Sequence, residues 1–225
     1  MSLQRFRKPR NKILPLIAFF LVLISTLITR GIKTLPGNIS KSFPTEINQS
    51  VQNIFVKRVV DGDTLLLENG DRVRLIGVDT PESSANPKAL RDSRTSGQDI
   101  RTITQMGQEA KNFMKNLLEG QRIHLEFDVQ QRDKYGRLLA YVYKLVCEGE
   151  CKHENISGQE YVKLNDGVYV FINATILKSG YGSPMTIPPN VRYVNVFKKL
   201  YKEAREEELG LWHPKPSAVA KGPLQ

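Results

Sequence analysis

Hydrophobic and polar positions fall into a readable order along the chain. Apolar, β-branched segments occupy residues 54–60, 64–68 and 72–78 in quick succession, with an Asn69-Gly70 pair between the second and third. Short apolar, β-branched runs mark strands, and Asn-Gly suits the left-handed backbone of a tight hairpin. The pattern predicts a three-stranded meander. Residues 83–104 are polar and aperiodic, which predicts a long functional loop. A regular period then appears: Met106, Ala110, Phe113, Met114, Leu117 and Leu118 recur at helical spacing, and Gly120 supplies a stop.

Strand character returns over residues 121–128 and 137–145, and residues 146–168 read as an inserted excursion with a turn at Asn165-Asp166-Gly167. Residues 171–179 predict a short helix capped by Gly180. Val194, Phe197, Leu200, Tyr201 and Ala204 mark one face of a longer helix that ends near Gly210, with Trp212 packed behind it. Five short strands with a helix between the third and fourth predict an α+β fold, a five-stranded OB-fold barrel with about three α-helices. A ferredoxin-like sandwich needs a helix between its first two strands, and none is there. No internal repeat is visible.

The N-terminus follows a different pattern. Residues 13–29 (ILPLIAFFLVLISTLIT) carry no charge and are bounded by Lys12 and Arg30. That length is the short end of a membrane-spanning helix. Five basic residues precede the run and only Arg30 and Lys33 follow closely, so the N-terminus is expected in the cytoplasm and the bulk of the chain across the membrane. No small-x-small cleavage site follows, which favours an uncleaved signal anchor over a removed signal peptide; cleavage would make the protein secreted. The expected organisation is a basic anchor over 1–33, a flexible linker over 34–52, a folded domain over 53–213 with an inserted segment at 146–168, and a disordered tail over 214–225.

Charge changes this picture little. The 225-residue chain has a formal charge of +10, but seven basic residues and no acid precede residue 34. Removing those seven from +10 leaves +3, so bulk charge is weak support for a polyanionic partner. The two cysteines, Cys147 and Cys151, lie four apart. In an exported domain they suit a disulfide; with His153 they supply three zinc ligands, though no fourth is evident. Four Asn-x-Ser/Thr sequons occur, at Asn38, Asn48, Asn155 and Asn173.

The candidate chemistry lies in three short motifs. Asp61-Gly62-Asp63-Thr64 opens the second strand, and Asp79-Thr80-Pro81-Glu82 leaves the third. If those strands pair through the Asn-Gly turn, Asp63 and Asp79 converge at one rim, where carboxylates repel unless a cation sits among them. Hard oxygen donors suit calcium or magnesium, while the bland alternative for DGDT is a polar turn. Arg74, in the third strand, and Arg137, in Asp133-Lys134-Tyr135-Gly136-Arg137, are candidates for gripping one phosphate, since a guanidinium matches phosphate oxygens in pairs. Glu82 could act as a general base on water. Histidine-metal chemistry is disfavoured, because His124, His153 and His213 all lie outside the acidic motifs. One geometrical tension stands: Arg74 and Asp79 are five apart and would face opposite ways on an ideal strand, unless Gly77 marks a bulge or Asp79 has left the strand.

Taken in order, DGDT, RLIGVDTPE and DKYGR closely resemble the thermonuclease family of staphylococcal nuclease-like domains, and the resemblance runs from about Ile54 to Trp212, including VFINATILKSGYG and LGLW. It implies a calcium-dependent endonuclease that hydrolyses DNA and RNA to 3′-phosphate ends with low sequence specificity. By the same resemblance Asp63 and Asp79 are calcium carboxylate ligands and Thr80 offers its backbone carbonyl. Arg74 and Arg137 bind the scissile phosphate, Glu82 orients or deprotonates the attacking water, and Lys134 and Tyr135 contact a terminal phosphate. Nucleic acid is the implied partner, with the membrane reached through the N-terminal helix and no protein partner. The long 83–104 segment, the 146–168 insertion and the lack of an aligned tyrosine pair near Tyr181 and Tyr193 depart from the family pattern. Two other classes remain: a non-catalytic surface module that captures nucleic acid, and a scaffold for protein contacts.

Overall fold

The computed structural model describes residues 50–149, 160–164 and 166–214. The expected membrane segment, most of the linker, Cys151, His153, three of the sequons and the tail beyond residue 214 lie outside the described residues. Among the described residues, no helix is long and apolar enough to cross a membrane.

The meander forms as its pattern predicts. Strand β1 (Ser50–Asp61) pairs antiparallel with β2 (Thr64–Leu67), and β2 with β3 (Arg72–Leu75), around the Asn69-Gly70 turn. Gly70 takes the positive φ (88°) that the turn requires. A two-residue β4 (Val78–Asp79) follows, then helix α1 (Pro87–Ser96) and helix α2 (Ile100–Leu118). Strands β5 (Arg122–Glu126) and β6 (Leu138–Glu148) complete the barrel. A hairpin of β7 (Tyr161–Leu164) and β8 (Gly167–Phe171), helix α3 (Ile172–Lys178), a short β9 (Ser183–Pro184) and helix α4 (Val194–Glu206) complete the order.

Two long, bent strands close the barrel. The first half of β1 pairs with β5 and its second half with β2, with register shifts where it bends. The start of β6 runs parallel to β3, its middle antiparallel to β5, and its end antiparallel to β8. The β3–β6 pairing joins the ends of the row β3-β2-β1-β5-β6 into a closed five-stranded barrel. Val56, Leu65, Val73, Ile123, Leu125 and Val142 fill it with no exposed surface. One stripe of α2 (Ala110, Met114, Leu118) is buried, as its spacing predicts, and α3 packs against α4 through Phe197, Leu200 and Ala204. Trp212 meets Tyr201 edge-on, with ring centroids 5.6 Å apart.

Three expectations are corrected. The 83–104 segment is not one loop: Asn86 accepts from the Ala89 N–H and caps α1, and Pro87 occupies its first turn, so the described residues contain four helices rather than three. Low apolar content hid this helix, which buries only Ala89. The 146–168 excursion is in part sheet, because β6 continues to Glu148 and β7–β8 extend the same sheet beyond the barrel. Finally, Asn173 is no glycosylation acceptor. Its side chain is fully buried, accepting from Val142 N–H (2.8 Å) and donating to Ile76 C=O (2.8 Å), and so ties the end of β3 to β6.

Candidate active site

The Asn-Gly hairpin aligns Thr64 with Arg74, which sets Asp63 beside Leu75, whose N–H donates to the Asp63 carbonyl (3.0 Å). The Asp63 side chain is only 3% exposed and fully engaged. One carboxylate oxygen accepts from the Thr80 N–H (3.0 Å) and hydroxyl (3.1 Å); the other accepts from the Thr64 hydroxyl and pairs with Arg74 Nη1. Gly62 makes this approach feasible, since a Cβ there would lie 2.7 Å from Thr80 Oγ1.

The tension between Arg74 and Asp79 resolves at Gly77. Strand β3 ends at Leu75, Gly77 adopts φ +78°, and β4 starts afresh, pairing with β9. A Cβ on Gly77 would meet the Phe197 ring at 2.4 Å, so position 77 has two reasons to be glycine. The reversal turns Asp79 back toward the barrel, and its Oδ1 accepts from Arg74 Nη2 at 2.8 Å. One guanidinium thus spans the two carboxylates. Burial pulls the Arg74 pKa below its ordinary value, countered by Asp79.

Glu82 stands on the opposite wall. Its main chain lies against α2 at Gly107, where a Cβ would come within 2.2 Å of the Glu82 carbonyl oxygen, and Gln108 Nε2 donates to Ser83 C=O (2.6 Å). Its carboxylate accepts from Asn86 Nδ2 (2.7 Å) and pairs with Lys88 Nζ (2.9 Å). Burial pushes the Glu82 pKa up, but the bonds from Lys88 and Asn86 outweigh it and hold the group below its usual value. Asp61 lies beside Glu82 and lines the same cleft; burial raises its pKa, and the Glu82 charge adds to that rise.

The third motif is a self-contained turn. Asp133 accepts from the N–H groups of Tyr135 (2.9 Å) and Arg137 (3.0 Å) through one oxygen, and its other oxygen accepts from Arg137 Nε (2.7 Å). Burial works to raise the Asp133 pKa, but these bonds prevail and lower it. Arg137 and Lys134 both stand over the exposed Tyr135 ring, at 5.5 Å and 5.0 Å from its centroid.

A cleft of about 450 Å³ gathers Asp63, Arg74, Asp79, Glu82 and Arg137 into one lining, with Asp61 and Lys88 beside them. Thr80 joins them through its bonds to Asp63 and Lys88. Lys134 and Tyr135 are outside that lining, on the outer side of the turn that carries Arg137. The sequence motifs did not single out Asp61, Asn86, Lys88 or Gly107. Asp61 was visible in DGDT; the others matter only because α1 and α2 fold over Glu82. Tyr181 and Tyr193 do not face the cleft: Tyr181 stacks on Phe113 (4.4 Å), and Tyr193 is buried beside Tyr141. The apolar surface there comes from Met185 and Ile187.

The oxygens of Asp63, Asp79 and Thr80 are hard donors of the kind that hold calcium. Among the described residues, no group of three or more His, Cys, Asp or Glu is gathered as a metal cluster; Asp63 and Asp79 pair with Arg74, and Asp79 also with Lys88. The donor set nevertheless fits a cation: Asp79 Oδ1 and the Thr80 carbonyl already share one, the Lys88 ammonium. Cys147 is disulfide-bonded, so its sulfur is no zinc-binding thiolate. His124 sits half-buried in β5 against Tyr169 (4.9 Å), outside the lining of the cleft.

Comparisons with known proteins agree with this geometry. The family model "Staphylococcal nuclease homologue" matches residues 72–214. A thermonuclease of Staphylococcus intermedius is 33% identical over 164 residues, 72% of this chain and 76% of that protein. A thermonuclease of Staphylococcus hyicus is 29% identical over 73% of this chain and 78% of its own length. Endonuclease YncB of Bacillus subtilis (strain 168) is 30% identical over 71% of this chain and 61% of its own length. With the barrel, the paired arginines and the acidic rim in one cleft, the chain belongs to the family of staphylococcal nuclease homologues.

Proposed function

We propose that this chain is a calcium-dependent nuclease that hydrolyses phosphodiester bonds of DNA and RNA to 3′-phosphate ends with little sequence preference. The observation that carries the proposal is the convergence of Arg74, Arg137 and Glu82 on one cleft beside Asp63 and Asp79. Two guanidiniums on one anionic group hold a phosphate in place and stabilise charge as it develops on the phosphoryl oxygens. Arg137 uses Nε and Nη2 on Asp133, which leaves Nη1 for that phosphate. Glu82, oriented by Asn86, accepts a proton from a water as that water attacks phosphorus, while the P–O5′ bond breaks and the departing 5′ oxygen takes up a proton from solvent. Asp63, Asp79 and the Thr80 carbonyl would hold calcium, which supplies fixed positive charge next to the phosphate. Lys134 and Tyr135, at the outer end of the Asp133 turn, would meet a terminal phosphate.

Several features support a placement outside the cytoplasm, tethered by residues 13–29: the uncharged run, the basic residues before it, and the disulfide at Cys147. The rival is a module that binds nucleic acid without cutting it. Incubating the protein with single-stranded and duplex DNA and with RNA, with calcium or with EDTA, separates the two. Cleavage to 3′-phosphate ends that EDTA abolishes is expected. Saturable binding without cleavage in calcium would overturn the catalytic proposal, and cleavage that survives EDTA would overturn its calcium dependence.

A further inference from the structure

Lys88 holds an unusual position for a lysine in the first turn of a helix. The N-terminal end of a helix carries positive partial charge, so a cation there is disfavoured, and α1 has no acidic residue in its first turn to offset it. The offset comes from outside the helix. The ammonium donates to the Thr80 carbonyl (2.8 Å) and lies 3.0 Å from Asp79 Oδ1 and 2.9 Å from Glu82 Oε1. Three oxygens from three residues thus surround a group with three donors. Two of them, on Asp79 and Thr80, are oxygens assigned above to calcium.

We propose that Lys88 is a built-in competitor for the divalent cation, occupying part of the metal site through its ammonium until calcium displaces it. The inference rests on the calcium site proposed above. One pair of oxygens cannot serve both cations at contact distance, because each would meet the other's full charge across a few ångströms of partly dry cleft. Calcium binding therefore requires the Lys88 side chain to leave and frees the first turn of α1 from the rim that Asp79, Thr80 and Glu82 form. By reciprocity, whatever holds α1 down weakens calcium binding, and calcium loosens α1. Without the metal, the ammonium satisfies carboxylates that would otherwise repel, and Glu82 keeps its place.

The test is calorimetric titration of calcium into the full-length chain, comparing wild type with Lys88→Met, Lys88→Gln, Arg91→Gln and Asp79→Ala. Both neutral replacements of Lys88 are expected to tighten calcium binding about tenfold. Arg91→Gln removes a charge one turn along from the exposed face of α1 and is expected to change affinity by roughly twofold or less, a long-range effect that salt screens. Hydrogen exchange gives a second readout: calcium should speed exchange in the first turns of α1 in the wild type and not in Lys88→Met. If Asp79→Ala abolishes calcium binding while neither neutral variant binds more tightly than Arg91→Gln, Lys88 is no competitor and the calcium site stands. If no variant binds calcium in a way that Asp79→Ala removes, the calcium site and the competitor fall together.

Discussion

The two walls of the cleft are built by different means. On the barrel wall, Asp63 and Arg74 are held by the ladder between β2 and β3, the close approach at Gly62 and the reversal at Gly77. Each constraint acts on the backbone, and the Asp63 carboxylate takes four contacts from three residues, Thr64, Arg74 and Thr80. On the helical wall, Glu82 is placed by packing of its main chain on Gly107 and by the side chains of Asn86 and Lys88. Side-chain contacts to a short, largely exposed helix open more readily than a sheet ladder. The cleft therefore pairs a preorganised, buried charge cluster with an adjustable rim, and the group proposed to move a proton sits on the adjustable side.

Replacing charge on the rigid wall should have the largest effect. Arg74→Lys keeps a cation beside Asp63 but loses the fork that spans both carboxylates, and turnover is expected to fall by about 10²–10⁴-fold with the fold retained. Arg74→Ala would also leave a buried carboxylate without its cation, at a cost of about 3–5 kcal/mol in stability. Glu82→Ala should lose about 10²–10⁴-fold in turnover with little change in melting, since Glu82 anchors no ladder. Steady-state kinetics alongside thermal melting checks this contrast, and near-normal turnover in both Arg74→Lys and Glu82→Ala would break it.

Displacement of the helical wall comes next. Gly107→Ala puts a Cβ against the Glu82 carbonyl, so the Glu82 segment must shift while the barrel stays. A loss of roughly 10–100-fold in kcat is expected with KM nearly unchanged, because misplacing a reacting group by about 1 Å has that scale of effect. Asn86→Ala is a milder version. It removes the cap of α1 and one partner of Glu82, and should cost about 1 kcal/mol of helix stability. Turnover should drop only a few-fold, since the main chain of Glu82 stays packed on Gly107.

The smallest effect concerns pH. The Asp133 carboxyl has a lowered pKa in the fold, so the ionised form favours the folded turn. That contribution is present above the ordinary aspartate range and is lost as pH falls through the lower folded value. Amide chemical shifts of Tyr135 and Gly136 should therefore move in one step at more acidic pH than an unperturbed aspartate titrates. In Asp133→Asn that step should vanish.

Much of the barrel wall was legible in the sequence. The apolar, β-branched segments and the Asn69-Gly70 turn bring Asp63, Arg74 and Asp79 together by local rules, while Arg137 was legible only as a candidate from its motif and the family resemblance. Even the bend at Gly77 was readable as a constraint, because residues five apart cannot share a strand face. The helical wall was not legible. Helix α1 buries one residue, so it has no hydrophobic period, and only Asn86-Pro87 marks its start. The β7–β8 extension was missed for a related reason: its strands lean on the end of β6 rather than on the barrel interior.

By itself, then, the sequence determined the strands of the meander, their turns and the meeting of Asp63, Arg74 and Asp79 at one rim, since those follow from side-chain character, glycine conformation and the pairing of adjacent strands. Only the tertiary structure decided that β3 and β6 close the barrel, that Asn173 is a buried staple rather than a glycan site, and that Lys88 lies on the carboxylates across from its own helix. Those are contacts between residues far apart or on different elements, set by which surfaces remain to be covered once the local pieces have formed. No local pattern encodes them.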